Sequence, residues 1–320
     1  MEYRTLGRTG LKVSILGLGS GGASRLGQGS GVAEADAHKV VDAALAAGIN
    51  IIDTAAAYGD SELILGRALE HRSRDSYILC SKANPATSNR DGGTVTYQVK
   101  SAADFIASAE RSLTRLNTDY IDVFQVHGVV TDTYGHVRDE LVPALKKLQD
   151  QGKIRYIGIT ETFSGDHQRN LLKMALADDL FDTMMIGYNL LTPGPEDDVF
   201  PLIQKQNVGV LIMCAVRKKI AKPEDLAGVI RSLKERKLIP DSVPDTGALD
   251  WLLGDGIDSV TDACYRYARG PEAVSTVLTG TANVDHLKQN LKAMLAGDLT
   301  PSARSRLKET FGPAGLKLGE

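Results

Sequence analysis

Four residues of this 320-residue chain have the types and positions to do proton chemistry together: Asp53, Tyr58, Lys82 and His127. Three of them close apolar runs. Asp53 follows "INII", Lys82 follows "YILCS" and His127 follows "IDVFQV", while Tyr58 lies in the turn "TAAAYGDS" just after Asp53. A phenol ionises near about pH 10 and is a weak acid at neutral pH unless a cation favours the phenolate. Lys82 can be that cation, and Asp53 can keep the lysine charged and oriented. A histidine beside them can donate to a carbonyl oxygen. The set amounts to a proton donor aimed at a carbonyl with an ion pair behind it. It lacks a nucleophile and a metal, and a bound hydride donor would complete it. Each residue alone has a plainer use: Asp53 as a cap, Tyr58 as a packed aromatic, His127 as a satisfied core histidine. Lys82 could also serve as a Schiff-base lysine, as in an aldolase.

These residues meet only if the fold brings three run ends to one rim. The apolar runs at 13–19, 49–55, 76–82, 120–128, 154–160, 182–188, 208–214 and 273–280 are short, rich in β-branched residues and nearly continuous. That pattern suits parallel strands covered on both faces. Between them fall eight segments with helical spacing, such as "EADAHKVVDAALAAG", "SAADFIASAERSLTRLN" opened by Ser101, and "NVDHLKQNLKAMLAG". Alternation of this kind predicts an α/β fold, a (β/α)8 TIM barrel, with an open doubly wound sheet as the alternative. The expected organisation is one domain over residues 1–320. "MEYRTLGRTGLKV" reads as an N-terminal β-hairpin plugging the barrel bottom, and residues 217–260 read as an insert after the seventh strand. In such barrels chemistry gathers at the carboxyl ends of the strands, where Asp53, Lys82 and His127 would lie.

The bulk numbers exclude other classes. A net charge of −3 with 24% charged residues points to no nucleic-acid and no acidic-membrane partner. No apolar run reaches membrane-spanning length and no secretory leader pattern opens the chain. The three cysteines are odd in number and widely spaced, so a reducing, cytoplasmic setting without a metal site is expected. "GLGSGG" has G-x-G-x-x-G spacing after a strand, but a Gly/Ser-rich loop follows where a dinucleotide fingerprint must open a helix.

The segments "NIIDTAAAYGDSELILGRAL", "SLTRLNTDYIDVFQVHG", "LQDQGKIRYIGIT", "MIGYNLL" and "STVLTGTANVDHLKQNLKAM" resemble successive signatures of the aldo-keto reductases. The resemblance runs from the hairpin to about residue 297. It implies a catalytic tetrad at Asp53, Tyr58, Lys82 and His127, and an NADP(H) or NAD(H) cofactor. It places the adenosine end at Gly280, Thr281, Asn283, Gln289 and Asn290, at a helix start suited to phosphate. It sets the backbone around Ser20, Gly21 and Gly22 beside the nicotinamide, with Asp53, Thr160 and Cys214 as further cofactor contacts, and leaves Arg217 either at the pyrophosphate or in a solvated charge run. The basic residue that commonly grips a 2′-phosphate is replaced by Ala282 and Val284, so the choice of dinucleotide stays open. Thr160 and Glu161 stand where Ser–Asn is common, and Met185 where a glutamine is common. The implied reaction is hydride transfer between nicotinamide and a small aldehyde, ketone or sugar. The loops after the first, third, fourth and seventh strands carry few aromatics, which favours a polar substrate. A non-catalytic nicotinamide-binding barrel subunit is the remaining alternative, and the oligomeric state is not legible.

Overall fold

The computed structural model describes residues 1–22, 24–92, 94–163 and 165–315. Eight parallel strands close into a barrel: β3 (Leu16–Gly19), β4 (Ile51–Asp53), β5 (Ile78–Ala83), β8 (Ile121–Val129), β9 (Ile154–Glu161), β10 (Thr183–Gly187), β11 (Gly209–Met213) and β12 (Thr276–Thr279). Closure removes the open-sheet alternative. All eight coincide with the runs expected from sequence.

The continuous apolar character of these strands has a direct cause. Alternate residues point to opposite faces. Ile52, Leu79, Phe124, Ile186 and Ile212 face outward under the helices, while Ile51, Cys80, Val123, Met185 and Leu211 face inward. The inward layer is sealed from below by β1 (Tyr3–Thr5) and β2 (Lys12–Ser14), an antiparallel hairpin that inserts the buried Leu6 and Val13. A Cβ at Gly209 would stand 2.8 Å from the Leu6 side chain, so glycine at the start of β11 is what lets the plug enter.

The outer layer consists mainly of α1 (Glu34–Ala46), α2 (Ser61–Leu69), α3 (Ala102–Leu116), α4 (Thr131–His136), α5 (Val142–Asp150), α6 (Asn170–Asp178), α7 (Pro195–Asp198) and α8 (Phe200–Gln206). The Ser101 hydroxyl accepts from the Asp104 N–H at 3.1 Å, an N-cap for α3. After β11 come α9 (Lys218–Ala221), α10 (Pro223–Glu235) and α11 (Val260–Arg269), and β12 is followed by α12 (Val284–Leu295).

Three local features depart from the sequence reading. Residues 84–99, expected as a loop, contain β6 (Ala86–Asp91) paired antiparallel with β7 (Thr94–Val99). The loop after His127 passes at once into α4, which runs through a π-turn at Val137–Leu141 into α5. A further helix, α13 (Pro301–Phe311), follows the repeat and buries Leu307 and Phe311. Among the described residues no helix is long and apolar enough to cross a membrane.

Candidate active site

Strand alternation carries the polar residues to the barrel mouth. Asp53 is two residues beyond inward-facing Ile51, Lys82 two beyond Cys80, and Gln125 two beyond Val123. Asp53 is 2% exposed and Lys82 is fully buried. The Lys82 Nζ donates to Asp53 Oδ2 at 2.5 Å and to the Thr54 carbonyl at 2.8 Å. Gln125 Nε2 donates to Asp53 Oδ1 at 3.2 Å, which satisfies the second carboxylate oxygen.

Tyr58 hangs over this pair. Its ring centroid is 5.0 Å from Lys82 Nζ, and the His127 ring meets it edge-on at 5.6 Å with an interplanar angle of 87°. Gly21 crosses the other side of the phenol, where a Cβ would come within 2.6 Å of the ring. Two other residues hold the turn. Gln28, from the loop between β3 and α1, donates through Nε2 to the Tyr58 carbonyl at 3.2 Å and to the Arg25 carbonyl at 2.8 Å. Its Oε1 accepts from the Asp60 N–H at 2.8 Å. Arg115 of α3 donates to the Gly59 carbonyl and pairs with the buried Glu62 at 3.2 Å.

The electrostatics follow from burial against these partners. Burial works against the Lys82 ammonium, but the Asp53 charge beside it prevails and holds its pKa above the ordinary value. A lysine kept charged cannot act as an amine nucleophile, which weighs against imine chemistry. Burial pushes the Asp53 carboxyl up against the pull of Lys82. For Tyr58, burial raises the pKa and outweighs the lowering effect of Lys82. The acidification expected from the lysine is thus not the net result: the phenol is a neutral O–H donor whose conjugate base Lys82 can steady.

His127 is pushed down to about 3, first by burial and then by Lys82. It is a neutral imidazole, and its buried Nδ1 has no hydrogen-bond partner among the described residues. Asn84 Nδ2 donates to its carbonyl at 3.3 Å, fixing the strand end. A depressed histidine pKa contributes stability above the unfolded value near 6.5, and that stability is lost as pH falls towards about 3. Urea midpoints should therefore drop more steeply below about pH 6.5 in the wild type than in His127→Gln. Equal slopes would show that His127 titrates normally.

The other predicted residues form two groups. Ser20 is buried and its hydroxyl donates to the Asp53 carbonyl at 3.0 Å, joining β3 to β4. Gly21 and Gly22 follow it along the rim, and a Cβ at Gly280 would sit 3.4 Å from the Gly19 and Gly21 carbonyls. Beyond Gly280, Thr281 Oγ1 accepts from the Asn283 N–H at 3.1 Å. Asn283 Oδ1 caps α12 from Asp285 N at 2.7 Å and His286 N at 3.1 Å. Asn290 Nδ2 donates to Thr279 Oγ1 at 2.8 Å, whereas Gln289 is exposed. This first group forms a strip of small side chains from the tyrosine to a capped helix start. Across the mouth, Thr160 Oγ1 accepts from the Gly128 N–H at 2.6 Å. Arg217 Nη1 donates to Cys214 Sγ at 3.1 Å, and its guanidinium lies 4.7 Å from the Phe163 ring centroid. Met185 sits lower, in the inward apolar layer. A long ligand with a polar head at His127 and an anionic middle near α12 fits this layout, because the side chains of the strip are small and His127 Nδ1 has no partner among the described residues.

Sequence reasoning passed over Gln125 and Gln28. Gln125 was within reach, since it shares the inward face of β8 with His127 two residues on. Gln28 bridges two loops 30 positions apart and carries no local signal.

Residues 16–310 match the sequence profile described as "Aldo/keto reductase family". The chain is 31% identical over 307 residues to "Uncharacterized oxidoreductase YqkF" of Bacillus subtilis (strain 168), covering 94% of this chain and 93% of that protein. It is 29% identical over 308 residues to "L-galactose dehydrogenase" of Arabidopsis thaliana, covering 92% and 88%. Its fold superposes on the holo form of aldo-keto reductase AKR11C1 from Bacillus halodurans with a TM-score of 0.72 and 29% identity, over 97% of this chain and 96% of that one. The closed barrel and the match across nearly its whole length establish that this chain belongs to the aldo/keto reductase family of NAD(P)H-dependent oxidoreductases.

Proposed function

We propose that the protein reduces, or in reverse oxidises, a small polar carbonyl compound, with Tyr58 exchanging the proton at the carbonyl oxygen. The observation that carries this reading is the convergence of four groups on one rim: Lys82 Nζ lies 2.5 Å from Asp53 and 5.0 Å from the Tyr58 ring centroid, with His127 edge-on to that ring. The nicotinamide of a bound dinucleotide supplies or accepts the hydride.

Tyr58 donates its proton as negative charge develops on the substrate oxygen. Lys82 steadies the phenolate left behind, and Asp53, itself held by Gln125, keeps Lys82 in place. Neutral His127 has an N–H to offer the same oxygen and fixes the direction from which the carbonyl approaches. Ser20, Gly21, Gly22, Asp53, Thr160 and Cys214 are assigned to the nicotinamide side of the dinucleotide, and Arg217 to its pyrophosphate. Gly280, Thr281, Asn283, Gln289 and Asn290 are assigned to its adenosine end. The likeness to an L-galactose dehydrogenase supports a sugar or similar polar substrate.

Titration with each dinucleotide, followed by an aldehyde panel, tests this reading. Micromolar or tighter binding and carbonyl-dependent oxidation of the reduced cofactor are expected. Lys288, the first cation after Gly280, lies 3.6 Å from Asp285 and both are exposed. Among the described residues at 282–284 no cation stands to grip a 2′-phosphate, so NADPH should bind within about tenfold of NADH, or roughly 1.4 kcal/mol. Binding of neither dinucleotide would overturn the reductase reading.

A further inference from the structure

Glu62 carries a carboxylate buried outside the barrel wall, between β5, α2 and α3, and the proton chemistry proposed above makes no use of it. It is the second residue of α2 and has no exposed surface. A carboxylate so placed is costly unless it is paired and hydrogen-bonded. The Ser81 hydroxyl, equally buried, donates to its Oε1 at 2.7 Å. Its other oxygen, Oε2, faces Arg115 Nε at 3.2 Å. Neither Oε2 nor Nε makes a hydrogen bond among the described residues, so each depends on the charge of the other. Arg115 comes from the last turn of α3, which can lie close to α2 because residue 66 is glycine: a Cβ there would stand 2.5 Å from the Arg115 carbonyl oxygen. Nη2 of the same guanidinium donates to the Gly59 carbonyl.

The two ends of this run of contacts meet the tetrad. Ser81 precedes Lys82 on β5, and side chains alternate along a strand, so Ser81 points out to α2 while Lys82 points into the mouth. Gly59 follows Tyr58. From Ser81 through Glu62 and Arg115 to Gly59, one polar strap ties the strand that carries the lysine to the turn that carries the phenol. A lighter tie runs beside it, in which Lys82 Nζ donates to the Thr54 carbonyl at 2.8 Å and Thr54 Oγ1 to the Ser61 hydroxyl at 3.3 Å. The turn has little else to hold it, because Ala56, Ala57, Gly59 and Asp60 are exposed. Its placement matters, since the attraction between an ammonium and a developing phenolate falls with separation. A misplacement of about 1 Å at a reacting group can cost about 10²-fold in rate.

We infer that Ser81, Glu62 and Arg115 are positioning residues that set the separation of the Tyr58 hydroxyl from Lys82 Nζ from behind the barrel wall. The inference rests on the proposed reading of Tyr58 as the proton donor.

Arg115→Met, which keeps the aliphatic stem, should lower kcat for aldehyde reduction about tenfold to a hundredfold, with KM and the dinucleotide dissociation constant within about threefold of wild type. Ser81→Ala cuts the strap at β5 and should lower kcat several-fold with the same split. Arg115→Lys should fall between Arg115→Met and wild type, because an ammonium can pair with Glu62 but lacks the fork that also reaches Gly59. The decisive readout is a double-mutant cycle with Tyr58→Phe. Once the hydroxyl is gone its position no longer matters, so Arg115→Met should change the residual turnover of Tyr58→Phe by less than about twofold. A role in folding alone would lower turnover by the same factor with and without the hydroxyl. The number of dinucleotide sites titrated per chain gives the folded fraction of each variant, and if Arg115→Met does not fold, Ser81→Ala and Arg115→Lys carry the same cycle. Equal losses in the two backgrounds, or wild-type turnover in Arg115→Met and Ser81→Ala, would overturn the inference. Normal turnover in Tyr58→Phe would overturn the reductase reading and this inference with it, whereas a crippled Tyr58→Phe beside a normal Arg115→Met overturns the positioning role alone.

Discussion

Tyr58→Phe is expected to lower kcat for aldehyde reduction by at least roughly 10²–10⁴-fold while the dissociation constant of the dinucleotide hardly moves. The substitution deletes one oxygen and keeps the ring, so the edge contact with His127 and the close passage of Gly21 survive. What disappears is the proton donor and a hydrogen bond to the developing alkoxide. The pH profile gives a second readout. Burial holds the Tyr58 pKa above its ordinary value and His127 is neutral above about 3, so wild-type reduction should hold through neutral pH and fall only in the alkaline range. The residual activity of the variant should lack that alkaline limb. Steady-state kinetics with separate cofactor titrations decide the matter. Turnover within a few-fold of wild type would show that Tyr58 is not the acid, however well the barrel is described.

Lys82→Met should be severe in two ways at once. The phenolate loses the cation that steadies it, so kcat falls at least as far as in Tyr58→Phe. The fold also suffers, because Asp53 is left buried with only Gln125 and no countercharge. Breaking a buried ion pair from one side costs about 3–5 kcal/mol. The sign of the pH dependence is diagnostic. Without Lys82, burial acts on Asp53 against only the Gln125 hydrogen bond and raises its folded pKa further above the unfolded value. A raised carboxyl contributes stability at acid pH that is lost as pH climbs through the folded value. The penalty relative to wild type should therefore be small near about pH 4 and full by about pH 8. Asp53→Asn should be milder, since an amide oxygen can still accept from the ammonium. Urea denaturation at the two pH values measures the effect, and a pH-independent penalty would show that the pair does not carry the charge assigned to it.

The barrel and the tetrad were legible for the same reason. Parallel strands buried on both faces read as unbroken apolar runs, and a charged residue ending such a run stands out: Asp53 after Ile52, Lys82 after Ser81. Their convergence then follows once the strands close in order. The β6–β7 hairpin was missed although "VTYQV" alternates apolar and polar residues and the turn signal "DG" at 91–92 lies ahead of it. One face of it is almost wholly hydroxyl and amide, so the segment lacks the hydrophobic density that marks a core strand. The helix α13 offered Pro301 at its first turn with Thr300 as cap, but few of its residues are apolar, because it lies on the outside of the helical layer. Gln28 was illegible in principle. Its role depends on where a glycine-rich loop lands, and Arg25, Leu26 and Gly27 all take positive φ to put it there.

That landing bears on how such a barrel can be rebuilt. Through Gln28, the loop leaving β3 supplies a donor to the carbonyl of Tyr58 and an acceptor to the amide of Asp60. Gly59 between them has φ +62, and a Cβ there would meet Gln28 Oε1 at 2.6 Å. The two loops are thus one cassette written in two places in the chain. A chimera that imports the first loop from another barrel, and leaves the second untouched, would keep every reacting side chain and still release the backbone that aims the phenol. In recombination or loop grafting, the units to exchange together are residues 20–31 and 54–61.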